Sequence, residues 1–219
     1  MSAPPDLQTL AARVLAAPPR RARRLVALAG PPGSGKSTLA RRLSERLAET
    51  GQAAPVVPMD GFHLDNRLLS ARGLLARKGA PETFDAAGLL RLVEALAAGG
   101  EVIHPVFDRA RDIAIAGAGV VAETDRTVIL EGNYLLFDAP PWRALAGFWD
   151  VSVFLAVPDE DLLSRLTTRW LDHGLAPEAA RERAERNDMA NARLLAARRL
   201  PADLTLGTAE PLPGTRTPA

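Results

Sequence analysis

The 219-residue chain contains no cysteine, which excludes disulfides, thiolate metal centres and a cysteine nucleophile and fits a reducing cytoplasm. Lysine is nearly as scarce. Among 27 Lys+Arg only Lys36 and Lys78 are lysine, and the other 25 are arginine. A composition so tilted toward arginine keeps lysine where a compact ammonium does what a planar guanidinium cannot, as at a phosphate. Histidines number three and none lie four apart, so a helix carrying a paired-histidine metal site is excluded. No apolar stretch reaches the ~18 residues of a membrane span. The start of the chain, with Pro4, Pro5 and Asp6, lacks the pattern of a secretory leader. A net charge of +1 provides no global field for nucleic acid or an anionic membrane. These absences predict a cytoplasmic protein with neither partner.

What is present begins with Gly30-Pro31-Pro32-Gly33-Ser34-Gly35-Lys36-Ser37, a match to G-x-x-x-x-G-K-[ST]. The apolar run Leu25–Ala29 reads as a buried strand before it. Leu39, Leu43 and Leu47 follow at helical spacing, and Gly51 ends that helix. Such a loop turns successive N–H groups toward one point at a helix N-terminus, a ready site for phosphates. Gly30, Gly33, Ser34, Gly35, Lys36, Ser37 and Thr38 are therefore the expected nucleotide-binding residues. Lys36 is to reach the β- and γ-phosphates and the Ser37 hydroxyl to bind Mg²⁺.

Further strand-like runs at 55–59, 127–130, 151–157 and 204–206 alternate with helical patterns at 37–50, 86–98, 159–173 and 177–199. The alternation predicts an α/β fold, a parallel sheet covered on both faces. Segments 61–84 and 104–125 are long for plain connectors and are expected to bind substrate. The basic run Arg20–Arg24 is expected to shield the approach to the first strand. One domain over 1–207 is expected, with a helix and linker at 1–21, a lid at 159–190 and a disordered tail at 208–219.

Ligands collect at the carboxyl ends of parallel strands, which selects Asp60 and Glu131. Two carboxylates and a phosphate loop on one sheet edge suit phosphoryl transfer. Asp60 is the expected general base for an acceptor hydroxyl and Glu131 the expected holder of the magnesium water shell. Ser37, Glu131 and Asp60 make up the expected metal set. Arg165 and Arg169, one helical turn apart, are expected to clamp the phosphates together with Lys36. Lys78 and Arg109 are candidates for an anionic or polyhydroxylated acceptor. His63 and His104 read more readily as structural residues, with His63 favoured slightly by its nearness to Asp60. The three tryptophans read as core.

On these residues the chain resembles the uridine kinase, phosphoribulokinase and pantothenate kinase superfamily of P-loop kinases. Within it, the nearest likeness is to the bacterial fructose-transport-system kinase-like group. The stretches that carry the resemblance are Gly30–Thr38, Met59–Asn66 (MDGFHLDN), Arg77–Asp85 (RKGAPETFD), Pro105–Ala118, Glu131–Leu136 (EGNYLL), Arg169–Gly174 and Asn187–Leu194. It implies a five-stranded parallel sheet of the three-layer P-loop type with a helical lid. It also implies phosphorylation of a small-molecule hydroxyl by ATP and Mg²⁺, with Asp60 as base. Asp60, His63, Lys78, Arg109 and Asn133 become the expected substrate-binding residues. Homodimers are common in the superfamily, and a homodimer is an expectation by analogy only. Uridine kinases carry a histidine after their aromatic-Asp pair, where Phe107-Asp108 is followed here by Arg109, Arg111 and Asp112. A sugar is therefore the expected acceptor. The alternatives are a nucleoside or pantothenate kinase, or a nucleotide-binding switch without a small substrate. The guanine-reading N-K-x-D of GTPase switches is absent.

Overall fold

A computed structural model describes residues 7–207; the tail expected at 208–219 lies outside the described residues, as do the first six. The order is α1 (Leu7–Ala16), β1 (Arg24–Ala29), α2 (Lys36–Ala48), β2 (Val56–Pro58), α3 (Asn66–Ala71), α4 (Ala86–Ala98), β3 (Val102–Asp108), β4 (Ile113–Val121), β5 (Thr127–Gly132), β6 (Val151–Ala156), α5 (Asp159–Asp172), α6 (Pro177–Arg183), α7 (Ala190–Ala197) and β7 (Leu204–Gly207). A π-helical turn, Ala184–Met189, joins α6 to α7.

Five strands form one parallel sheet in the order β2-β5-β1-β6-β7. Alternate residues of β1 serve opposite layers, as the two-residue period of a strand requires. Leu25, Ala27 and Ala29 pack with Leu89, Val93 and Leu96 of α4. Val26 and Leu28 pack with Leu39, Leu43 and Leu47 of α2 and with Leu10 and Val14 of α1. Burial on both faces is why the strands read as continuous apolar runs. A fully buried leucine contributes about 1.5–3 kcal/mol, so the sheet is a rigid base for whatever its upper edge carries.

Two expectations gain detail. Segment 104–125, too long for a plain connector, is mostly an antiparallel hairpin of β3 and β4. Pro105, Gly117 and Gly119 interrupt its strand pattern, and the ladder register shifts between His104 and Val106. The basic run 20–24 does more than shield. Arg23 is 2% exposed, and its guanidinium donates to the carbonyls of Leu96, Gly100, Ala122 and Asp125. It ties the end of α4 to the turn before β5, satisfying carbonyls that no ladder reaches. No helix among the described residues is long and apolar enough to cross a membrane.

Candidate active site

The upper edge of the sheet is where the site is built. β1 runs out into the 30–37 loop, and Gly35 takes the N-cap of α2 with φ +86, a left-handed conformation that costs glycine nothing. Ser34 N–H donates to the Pro31 carbonyl at 3.1 Å, closing the loop. Lys36 opens the helix. Its ammonium has one long contact, 3.5 Å to the Pro31 carbonyl, and burial lowers its pKa despite the carboxylates of Glu131 and Asp60 nearby. A half-buried ammonium with no ion pair among the described residues has donors to spare for anionic oxygen, which a triphosphate supplies. The loop, in sequence and conformation, therefore fits a nucleotide.

Asp60 leaves β2 on a 3-10 turn, Met59–Phe62, and Glu131 lies near the end of β5. The pairing of Pro58 with Glu131 in the ladder brings the two acids together. Glu131 is 5% exposed, and burial raises its pKa, opposed by Lys36, assisted by Asp60 and eased by the nearby Ser37 hydroxyl. Burial acts on Asp60 in the same direction, but Arg109, His63, Lys36 and Arg169 outweigh it and hold that carboxyl below its usual value. The strongest of these charges is also a direct contact, Arg109 to Asp60 Oδ2 at 2.6 Å. Arg109 sits where the β3–β4 hairpin turns. The hairpin is seated close, because a Cβ on Gly61 would stand 2.5 Å from the Pro105 carbonyl oxygen; only glycine permits that approach.

Lys36, Asp60, His63, Lys78, Arg109, Asn133 and Arg169, all singled out from the sequence, line one cavity of about 370 Å³. Arg165, one turn before Arg169, is not among its lining residues. Burial lowers the Arg169 pKa, and the positive charge of Arg109 adds to this while Asp188 and Asp60 oppose it. The two arginines thus share one electrostatic environment around Asp60.

His63 stacks on Phe84 with ring centroids 4.0 Å apart and lies 4.7 Å from Phe107. Burial presses its pKa down to about 4, so the imidazole is neutral near pH 7. His63 Nδ1 and Asn133 Oδ1 are buried without a hydrogen-bond partner among the described residues. Lys78 is more committed than expected. Its ammonium reaches Asn66 Oδ1 at 2.7 Å, Asp112 Oδ1 at 2.7 Å and the Asp112 carbonyl at 3.1 Å. Its three N–H donors are spent on α3 and the hairpin turn, so it braces one wall of the cavity. His104 is 5% exposed with its ring against Gly119, a structural placement.

Several cavity residues were not anticipated. Trp170 packs against the cluster of Leu162, Leu166, Ala184 and Met189 as expected but also lines the cavity, and its indole N–H donates to Asp188 Oδ2 at 2.6 Å. Asn187 Nδ2 donates to the Lys78 carbonyl at 2.9 Å, and Asn191 is 4% exposed. Asn187, Asp188 and Asn191 come from the π-turn and the first turn of α7. Such turns recur at functional sites, and the Asn187–Leu194 stretch, which carried the resemblance, was the available signal. Phe84 and Asp112 also line the cavity; both lie in stretches that carried the resemblance, Arg77–Asp85 and Pro105–Ala118, without being singled out as site residues.

A phosphate-gripping loop on a parallel sheet, with acids at the strand ends and a helical cover, defines a P-loop kinase. Residues 26–187 match the family described as an AAA domain, and the chain belongs to that family, within the P-loop kinase superfamily of uridine kinases, phosphoribulokinases and pantothenate kinases. A crystal structure from Silicibacter sp. TM1040, provisionally named a fructose transport system kinase, is 60% identical with a TM-score of 0.89, covering 92% of this chain and 98% of that one. YggC of Escherichia coli K12, whose function is uncharacterized, is 40% identical over 190 residues, 85% of this chain and 78% of its own. A provisionally named uridine kinase of Schizosaccharomyces pombe is 36% identical over 178 residues, 76% of this chain and 75% of its own.

Proposed function

We propose that this chain transfers the γ-phosphoryl group of ATP to a hydroxyl of a small polyhydroxylated metabolite, a sugar-type acceptor in the manner of a fructokinase. One observation carries the reading. Asp60 feels the charges of both Lys36 and His63 and shares one cavity with Lys36, the His63–Phe84 stack and the amides of Asn133, Asn187 and Asn191. A ring with an apolar C–H face and several hydroxyls suits such walls, the rings taking its face and the amides its oxygens.

The chain's own residues divide the work. The loop amides and Lys36 hold the triphosphate, and Arg109 and Arg169 stabilise charge on the phosphoryl group in transfer. Arg109 occupies Asp60 Oδ2, which leaves Oδ1 for the acceptor. There Asp60 orients the hydroxyl and takes its proton as the new O–P bond forms and the bond to the departing ADP oxygen breaks. Ser37 and Glu131 would hold a magnesium ion, which when bound neutralises charge on the phosphates.

A second reading, a nucleoside acceptor, rests on the same stack, because His63 beside Phe107 also suits the face of a base. Coupled detection of ADP over a panel of sugars, polyols, hydroxy acids, nucleosides and pantothenate tests both. Turnover of sugars or sugar derivatives supports the first reading and turnover of nucleosides alone replaces it. ADP release no greater than with ATP alone, for every acceptor, removes both.

A further inference from the structure

Resting on the kinase reading above, we propose that the acceptor carries an anionic group, a carboxylate or a phosphate, remote from the hydroxyl that is phosphorylated, and that Arg183 receives it. Five cationic side chains line the cavity against three carboxylates, those of Asp60, Asp112 and Asp188. Two of the five are paired, Lys78 with Asp112 and Arg109 with Asp60. Two more serve the phosphate end: Lys36 belongs to the loop, and Arg169, whose side chain makes no ion pair or hydrogen bond among the described residues, acts on Asp60 and Lys36.

Arg183 is different. Its guanidinium lies 5.1 Å from the centroid of the Trp170 ring, and it makes no ion pair or hydrogen bond among the described residues. Its charge registers at Asp188, but Asp188 Oδ2 is occupied by the Trp170 indole. It also lines a second cavity of about 420 Å³, which shares Arg183, Asn187 and Asn191 with the first. The other two arginines there are neutralised, Arg77 by Glu82 at 2.8 Å and Arg186 by Glu182 at 3.1 Å. Where the two cavities meet, the charge left over is that of Arg183.

The fold places hydrogen-bond donors beside it. Arg183 ends α6, and Asn187 and Asn191 follow at four-residue steps through the π-turn, so a guanidinium and two carboxamides succeed one another along the helical segment. A guanidinium fork held against an aromatic face, with amide donors alongside, is matched to a planar carboxylate or a phosphate. A neutral sugar would leave that charge without a partner. The substrate class is then a sugar acid, hydroxy acid or sugar phosphate, with its accepting hydroxyl at Asp60 and its anion at Arg183.

Matched acceptors test this in the coupled ADP assay with the full chain: fructose against fructose 1-phosphate, and glycerol against glycerate. The charged member of at least one pair is expected to show a tenfold or greater advantage in kcat/KM, and the pair that responds tells phosphate from carboxylate. Arg183→Gln is expected to raise the KM of the charged acceptor at least tenfold while the KM of ATP stays within twofold, and Arg183→Lys to recover part of the loss. Equal or better use of the neutral members overturns the proposal, as does a KM change confined to ATP. If no acceptor releases ADP, it is the kinase reading that has failed. Calorimetric titration of the same acceptors in the presence of ADP and magnesium then judges the anion subsite. Binding of a charged member that Arg183→Gln abolishes upholds it, and equal binding by both proteins removes it.

Discussion

The two ends of the cavity are built in opposite ways. The nucleotide end comes from one contiguous stretch, the 30–38 loop and the first turn of α2, resting on a strand buried on both faces. The ligands it would offer a phosphate are largely backbone amides, which the loop conformation aims without help from the rest of the chain. The acceptor end has no such stretch. It is assembled from a 3-10 turn after β2, the segment around Lys78, a hairpin turn and a π-turn far along the chain, and it is held by side-chain contacts between them. Lys78 joins α3 to the hairpin, Asn187 joins the π-turn to the Lys78 carbonyl, and the Tyr134 hydroxyl donates to the Gly79 carbonyl at 2.7 Å. On the proposed reading, one end is a local device that any acceptor can share, and the other is a tertiary arrangement through which a particular acceptor would be chosen.

The contrast can be broken where the ends meet. Asp60→Asn is expected to lower kcat by about 10²–10⁴-fold while ATP affinity, measured by calorimetry, survives; unchanged turnover would instead favour a nucleotide switch without a small substrate. Next in size, Lys36→Ala is expected to cost about 10²–10³-fold in kcat/KM and, unlike Asp60→Asn, to weaken ATP binding. A loss confined to the acceptor KM would contradict the division between the ends.

The acceptor end has a pH signature of its own. His63 is lowered from 6.5 to about 4, so between those values the unfolded chain takes up a proton that the folded chain refuses. The folded state keeps its full stability above about pH 6.5 and loses roughly 3 kcal/mol as the pH falls toward 4. Urea denaturation across that window is expected to show the loss, and His63→Gln is expected to flatten it. The smallest effect sharpens the comparison further. Tyr134→Phe removes one hydrogen bond bracing the acceptor wall and is expected to cost about 1 kcal/mol. That corresponds to roughly 2–4 °C in Tm, with a raised acceptor KM and an unaltered KM for ATP.

How legible each part was follows from the same contrast. The five parallel strands were readable because burial on both faces leaves uninterrupted apolar runs. Leu7–Ala16 and Ala86–Ala98 were readable because their apolar residues recur on one helical face. The hairpin was not, since Pro105 and two glycines break its alternation and much of β4 is exposed. The π-turn was not, since nothing in Ala184–Met189 distinguishes it from ordinary helix. Trp170 read as core and does pack against Leu162 and Leu166; that it also lines the cavity depends on its partner Asp188, which lies on a different element. Lys78 was expected to bind an acceptor; it lines the cavity, but that its three donors are spent on Asn66 and Asp112 depends on the hairpin turn reaching α3.

By itself the sequence determined the parallel α/β frame and the phosphate-gripping loop. Both follow from short-range regularities, the burial period of strands and helices and a run of residues whose backbone does the binding. Only the tertiary structure decided which charges are spent and which remain. Arg109 is committed to Asp60, Lys78 to Asp112, and Arg183 to no carboxylate among the described residues, because pairing depends on distances between elements that lie far apart in the chain.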